Sequence, residues 1–298
     1  MNFRARILGA AAGGGLPQWN CGCNNCNLAR LGKIPPQTQS SVAFTANGLD
    51  WAVLNASPDI RQQFVDCSDL HPTGLRELPL RSVLLTNGDI DHVAGLLTLR
   101  EMQPFTIYAT AGIHEVLDQN PIFAALNTSV VTRRTISLDQ TVEIAPDLMA
   151  ELFPVPGKVP LYLEGENVDT EMMGEQTVGV HLSTKGKDAF YIPGCATLND
   201  DLRERLKGAG LVFFDGTLWQ DEEMIQAGLG KKTGKRMGHM SMFGNDGSIS
   251  AFTDLDVAKK VFVHMNNTNP VLRPDSQERR TAEAAGWIIG QDGMEIVP

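Results

Sequence analysis

Apolar residues fall in short runs separated by polar and glycine-rich stretches, the pattern of many strands interleaved with brief helices. Val83-Leu84-Leu85 is the clearest run, a buried strand that passes into the small and polar stretch Thr86 to Asp91. Val93, Leu96 and Leu97 then return at helical spacing, so the unit reads strand, loop, helix. Upstream, residues 3–8 alternate as a strand and Gly13 to Pro17 turn the chain. Ser41 to Thr45 and Trp51 to Leu54 form a hairpin through Asn47-Gly48. Ser57 is an N-cap and Pro58 a first helical residue. Downstream, Phe105 to Ala109 predicts a strand, and Gly112 to Leu117 a helix with His114 on its surface. Further strands are expected at Thr135 to Leu138, Val142 to Ile144, Val178 to Leu182, Phe190 to Ile192, Leu211 to Asp215 and Lys260 to His264. A polar loop covers 164–177, His181 packs within its strand, and a helix from Asp275 to Gly286 precedes the last strand, Trp287 to Ile289. The class is α+β.

The 298 residues, 42% of them hydrophobic, supply ample core for one domain over 1–298. No apolar run approaches the ~18 residues that a membrane span needs. Arg4 and Arg6 before a brief apolar stretch resemble the start of a signal peptide, but a first strand and a glycine-rich turn account for them better. The net charge of −10 argues against nucleic acid as partner. Five cysteines, three of them within six positions, are not a secreted disulfide framework and point to a reducing, cytoplasmic setting.

Cys21, Cys23 and Cys26 have a spacing that folds three thiolates round one tetrahedral zinc, a structural clip at about 19–30. An iron–sulfur cluster is the weaker alternative, with only Cys67 and Cys195 left to complete it. At the junction after the strand, Asp91-His92 offers a hard oxygen and an imidazole nitrogen to a divalent metal. Ser57 and Asp59 end the preceding strand and either face the same cleft or simply start a helix. Asp215-Gly216-Thr217 ends another buried strand at the cleft rim. Lys231, Lys232, Lys235 and Arg236 make a glycine-rich basic loop in an otherwise acidic chain, suited to carboxylates or phosphates or else merely solvated. The loop leads to Gly238-His239-Met240-Ser241, read as a helix start. His239 is the best candidate there for acid–base work without being a ligand.

Thr86, Asp91, His92 and Gly95 match the signature Thr-His-X-His-X-Asp-His of the metallo-β-lactamase superfamily, which carries Gly after two further residues. Asn87 and Asp89 stand where its first two His would be. No His occupies the region of Gly157 and Lys158, and Gly194-Cys195 replaces a bridging Asp. With Cys21-X-Cys23-X-X-Cys26, Ser57-Pro58-Asp59, Asp215-Gly216-Thr217, Gly238-His239-Met240-Ser241 and His264 to Pro270, the chain resembles the coenzyme pyrroloquinoline quinone synthesis protein B family. That resemblance implies an αββα sandwich and His264 as the third ligand beside Asp91 and His92. It also implies one active-site metal, Fe(II) or zinc, rather than two. Asn267 falls where relatives place a His on the cysteine zinc, which leaves the fourth ligand open. The implied activity is iron- and O2-dependent hydroxylation of the tyrosine ring in a Glu-Tyr unit, with Asp89 binding substrate or handling a proton and the basic loop holding carboxylates. A zinc hydrolase and a carrier of the finished quinone are the rivals, and a homodimer is compatible with all three.

Overall fold

A computed structural model describes residues 3–165 and 168–298; positions 166 and 167 of the expected 164–177 loop lie outside it. Among the described residues the strands form two sheets of seven. One sheet runs in the order Glu295–Ile296, Arg4–Gly9, Ser41–Thr45, Trp51–Leu54, Leu80–Leu84, Phe105–Ala109, Val131–Thr135. The other runs Trp287–Ile289, Lys260–Val263, Val212–Asp215, Lys187–Ile192, Val178–Thr184, Leu148–Pro154, Thr141–Ala145. Each sheet pairs antiparallel on one side and parallel on the other.

The sheets pack face to face. Phe44 of the first meets Phe213 of the second edge-on at 5.7 Å, and both are fully buried. Ser82 donates across the interface to the Ile144 carbonyl at 2.7 Å. Parallel strands buried on both faces read as continuous apolar runs, which is why Val83-Leu84-Leu85 and Val212-Phe213-Phe214 were legible. Helices Ile60–Asp66 and Gln277–Ala284 lie outside the sheets, completing the αββα sandwich.

Several local expectations shift. The strand expected at Thr135 to Leu138 lies at Val131–Thr135 instead. Ser57 does not cap: the helix begins at Ile60 after Asp59, while the Ser57 hydroxyl accepts from Asp59 N at 3.2 Å. His114 is buried rather than on the surface, with Nε2 at 3.2 Å from the Arg134 carbonyl. The short helix Gly234–Met237 precedes Gly238, whose φ of 88° ends it, so His239 follows a helix and does not start one. His181 stacks on Phe190 at 4.4 Å, as a packed strand histidine should.

Candidate metal centre and active-site cavity

The carboxyl ends of parallel strands from both sheets converge on one cleft, where loops can carry side chains on a rigid frame. Asn55, left-handed at φ 61°, ends the strand Trp51–Leu54 and accepts from Thr86 N at 2.9 Å. Gly95 N donates to the Ala56 carbonyl and Ala56 N to the His92 carbonyl, at 2.9 and 2.7 Å. A Cβ on Gly95 would stand 2.1 Å from the Ser57 carbonyl oxygen, so only glycine permits this approach. These contacts fix the turn that carries Asp91 and His92.

Asp91, His92 and His264 offer ligand atoms that all lie within 4.8 Å of one another. His92 is buried, and its Nδ1 donates to the Asn87 side-chain oxygen at 2.7 Å. That oxygen also accepts from Asp89 N at 3.0 Å, which fixes the amide's orientation. The His92 Nε2 is therefore left buried with no hydrogen-bond partner among the described residues. A buried, unpaired imidazole lone pair beside a carboxylate is what a metal ligand looks like without its ion. His264, left-handed at φ 57°, holds Nε2 at 3.0 Å from Asp91 Oδ2. The Thr217 hydroxyl donates to Asp215 at 2.6 Å and accepts from His264 Nδ1 at 2.9 Å, so this ring too is locked with Nε2 inward. Burial, opposed by Asp91, lowers His92 to about 4 and keeps it neutral, the form that ligates. Burial would raise Asp91, yet His92 and His264 hold it well below the usual carboxylate range. The donor set of two imidazoles and one carboxylate fits a single divalent ion with open positions.

Asp215, His239 and His264 also come within 4.8 Å. Asp215 is fully buried, and its two oxygens are taken by Thr217, His239 and Cys195 N. Its contact with His239 Nδ1 is 2.7 Å, so Asp215 orients His239 and leaves Nε2 for proton transfer. His239 lines the cavity and stacks on His264 at 5.2 Å. Asp89 also lines the cavity. Burial and then Asp91 raise its pKa.

The three thiols cluster as expected, with Sγ atoms within 4.8 Å. The Asn267 side-chain amide caps them at 3.2, 3.5 and 3.3 Å from Cys21, Cys23 and Cys26. The buried Asn25 donates to the carbonyls of Asn267 and Asn269 at 3.0 and 2.8 Å, holding this amide in place. In this structure Asn267 Nδ2 faces the three sulfurs; with the amide turned over, so that Oδ1 takes its place, three sulfurs and one oxygen fit a tetrahedral zinc. Burial pushes the Cys26 thiol up to about 11, so the free cluster favours a neutral thiol that zinc would deprotonate. The Cys195 thiol joins neither cluster and donates to the Thr197 carbonyl at 3.1 Å, while its backbone N–H holds Asp215.

The cavity is about 470 Å³. Ser57 lies outside it, fully buried against Gln63 at 3.1 Å, and Asp215 reaches it through His239 and Thr217, both of which line it. Lys231 is exposed and away from the cavity, and Lys235 pairs with Glu171 at 3.2 Å. Lys232 lines the wall; it and Arg236 both bind Glu164, at 3.0 and 3.3 Å. The residue that sequence reasoning missed is Lys158, on the cavity wall with Nζ at 2.9 Å from Glu164. A lysine where relatives carry a ligand was the available signal.

A model described as "Beta-lactamase superfamily domain" matches residues 50–265, so the sandwich is that of the metallo-β-lactamase superfamily. Within it, the coenzyme PQQ synthesis protein B of Ruegeria pomeroyi is 58% identical over 291 residues, 98% of each chain. That of Rhizobium meliloti is 52% identical over 297 residues, covering 99% of this chain and 98% of the relative. The crystal structure of Zn(2+)-bound PqqB from Methylobacterium extorquens superposes with a TM-score of 0.97 at 51% identity, covering 99% of this chain and all of that one. A diphosphatase from the PhnP family shares the fold at 19% identity and a TM-score of 0.72, covering 99% and 97%. This chain belongs to the coenzyme PQQ synthesis protein B family.

Proposed function

We propose that this chain acts in pyrroloquinoline quinone biosynthesis as a mononuclear, metal-dependent oxygenase that hydroxylates the tyrosine ring of a Glu-Tyr-derived intermediate. Asp91, His92 and His264 carry the reading. Two imidazoles and one carboxylate converge, the His92 Nε2 buried and unpaired among the described residues, while Asn87 and Asp89 occupy the positions a second metal would need. Fe(II) held by these three residues would supply activation of O2. The ring gains one oxygen atom; the other leaves as water, with two electrons from an external reductant. His239, held at Nδ1 by Asp215, takes or returns a proton at Nε2. Asp89, raised by burial and Asp91, hydrogen-bonds the substrate at the cavity wall.

The test is O2 uptake and ring hydroxylation by protein loaded anaerobically with Fe(II) or with Zn(II). Iron-dependent uptake, lost in His92→Ala and His264→Ala while the cysteine zinc stays, supports the oxygenase. Activity that survives both changes sinks the assignment. The Zn(2+)-bound relative favours a zinc hydrolase as second reading; ester cleavage by the zinc form with no oxygen uptake would establish it. Turnover by neither form, with tight quinone binding, leaves a carrier.

A further inference from the structure

Glu164 sits on the cavity wall with three cations converging on its one carboxylate. Lys158 Nζ is 2.9 Å from Oε1, while Lys232 Nζ and Arg236 Nη2 are 3.0 and 3.3 Å from Oε2. The Glu164 side chain is 8% exposed and that of Lys158 12%. A strut that merely pinned the 158–164 segment would need one cation. Here the segment already has other ties. Tyr162 donates to the Gly88 carbonyl at 2.6 Å, and Leu161 N donates to Asp89 at 3.3 Å. Among the described residues these three like charges gather round the one Glu164 carboxylate and repel one another, with Lys158 also facing the charge of Asp89. Among the described residues the buried Arg236 Nη1 has no hydrogen-bond partner, so the cluster also holds a guanidinium donor not spent on Glu164. This concentration of positive charge stands in a chain of net charge −10.

We infer that Lys158, Lys232 and Arg236 are a carboxylate-binding subsite of the cavity, and that Glu164 occupies it as an internal stand-in which a carboxylate of the substrate displaces. The inference deepens the proposed function and rests on its substrate class, an amino-acid-derived molecule with several carboxylates. The incoming carboxylate meets donors already gathered in a partly desolvated wall, Lys158 and Lys232 on the cavity side and Arg236 behind them. Displacement of Glu164 offsets part of the binding, so the free protein holds its substrate more weakly than the bare cations would. The same competition excludes neutral analogues, which cannot release Glu164.

The test is equilibrium binding of pyrroloquinoline quinone, a tricarboxylate, and of its neutral trimethyl ester to the zinc-loaded protein, followed by absorbance. Glu164→Gln keeps the shape of the side chain and removes the competing charge. It is expected to bind the quinone about tenfold more tightly and the ester no differently. Arg236→Gln is expected to bind the quinone about tenfold more weakly and with a flatter salt dependence. Melting curves of both variants report folding. Equal or weaker quinone binding by a folded Glu164→Gln overturns the inference. So does an Arg236→Gln that binds as the unaltered protein does, which is the deciding measurement if Glu164→Gln does not fold. Because the readout is binding, loss of the oxygenase reading leaves the subsite standing, and loss of the subsite leaves the oxygenase untouched.

Discussion

Asn87 Oδ1 stands 2.7 Å from His92 Nδ1, and this one contact turns the opposite ring nitrogen inward, unpaired. Where superfamily relatives spend this position on a ligand, here it spends an amide on aiming one. Removing such an orienting partner costs ~10–100-fold in metal affinity. Asn87→Leu is therefore expected to weaken the active-site metal by about that factor in chelator competition, with the cysteine zinc unchanged. Unchanged affinity would mean that the ring is held by packing alone.

The cysteine cluster, the candidate zinc clip, joins the segment after the first strand to the loop after Val263 through Cys21, Cys23, Cys26 and Asn267. Cys26→Ser should lower zinc content by one per chain and lower the melting temperature. Asn267→Ala keeps three thiolates and should release zinc to a chelator more readily than the unaltered protein. Equal retention would show that a water or another group serves as fourth donor.

Gly95 has no room for a Cβ, because the Ser57 carbonyl would be 2.1 Å away. Gly95→Ala must push apart the Ala56–Ser57 backbone and the turn that carries His92. The cost expected in urea unfolding is ~3 kcal/mol, the upper end for overpacking. Active-site metal affinity should fall with it.

The Glu164 cluster gives a pH signature. Burial raises the Glu164 pKa, but Lys158 and Lys232 outweigh it and bring the folded value to about 2, against 4.5 in the unfolded chain. A depressed carboxylate stabilises the fold fully above about pH 4.5, and that contribution fades as pH falls toward 2. The difference in melting temperature between the unaltered protein and Glu164→Gln should be constant above pH 5 and shrink below about 4.5. A difference that does not change from pH 6 to 3 would show that Glu164 is not charged in the fold.

His239 and Asp215 act as one unit, with Asp215 fully buried and 2.7 Å from Nδ1. Asp215→Asn should lower kcat far more than substrate affinity, because the ring loses its orientation while the cavity wall stays. A change confined to KM would place His239 in binding rather than proton transfer.

The sequence by itself determined the parts whose cause is local or periodic. Val83-Leu84-Leu85 and Val212-Phe213-Phe214 are strands because both faces are covered, so their apolarity is continuous. The thiol cluster was legible because Cys21, Cys23 and Cys26 lie within one short stretch of chain that brings their sulfurs within 4.8 Å of one another. Asp91-His92 was legible for the same reason, and resemblance supplied His264. Only the tertiary structure decided which polar residues meet the cavity. Ser57 and Asp215 lie near it in sequence pattern, yet both are buried in backbone contacts that hold other groups. Lys158 and Glu164 follow the strand Leu148–Pro154, Lys232 and Arg236 follow Val212–Asp215, and the two pairs meet because both strands belong to one sheet whose loops share a rim. Long-range electrostatic pairing leaves no period in a sequence, so it becomes visible only when the sheets are packed.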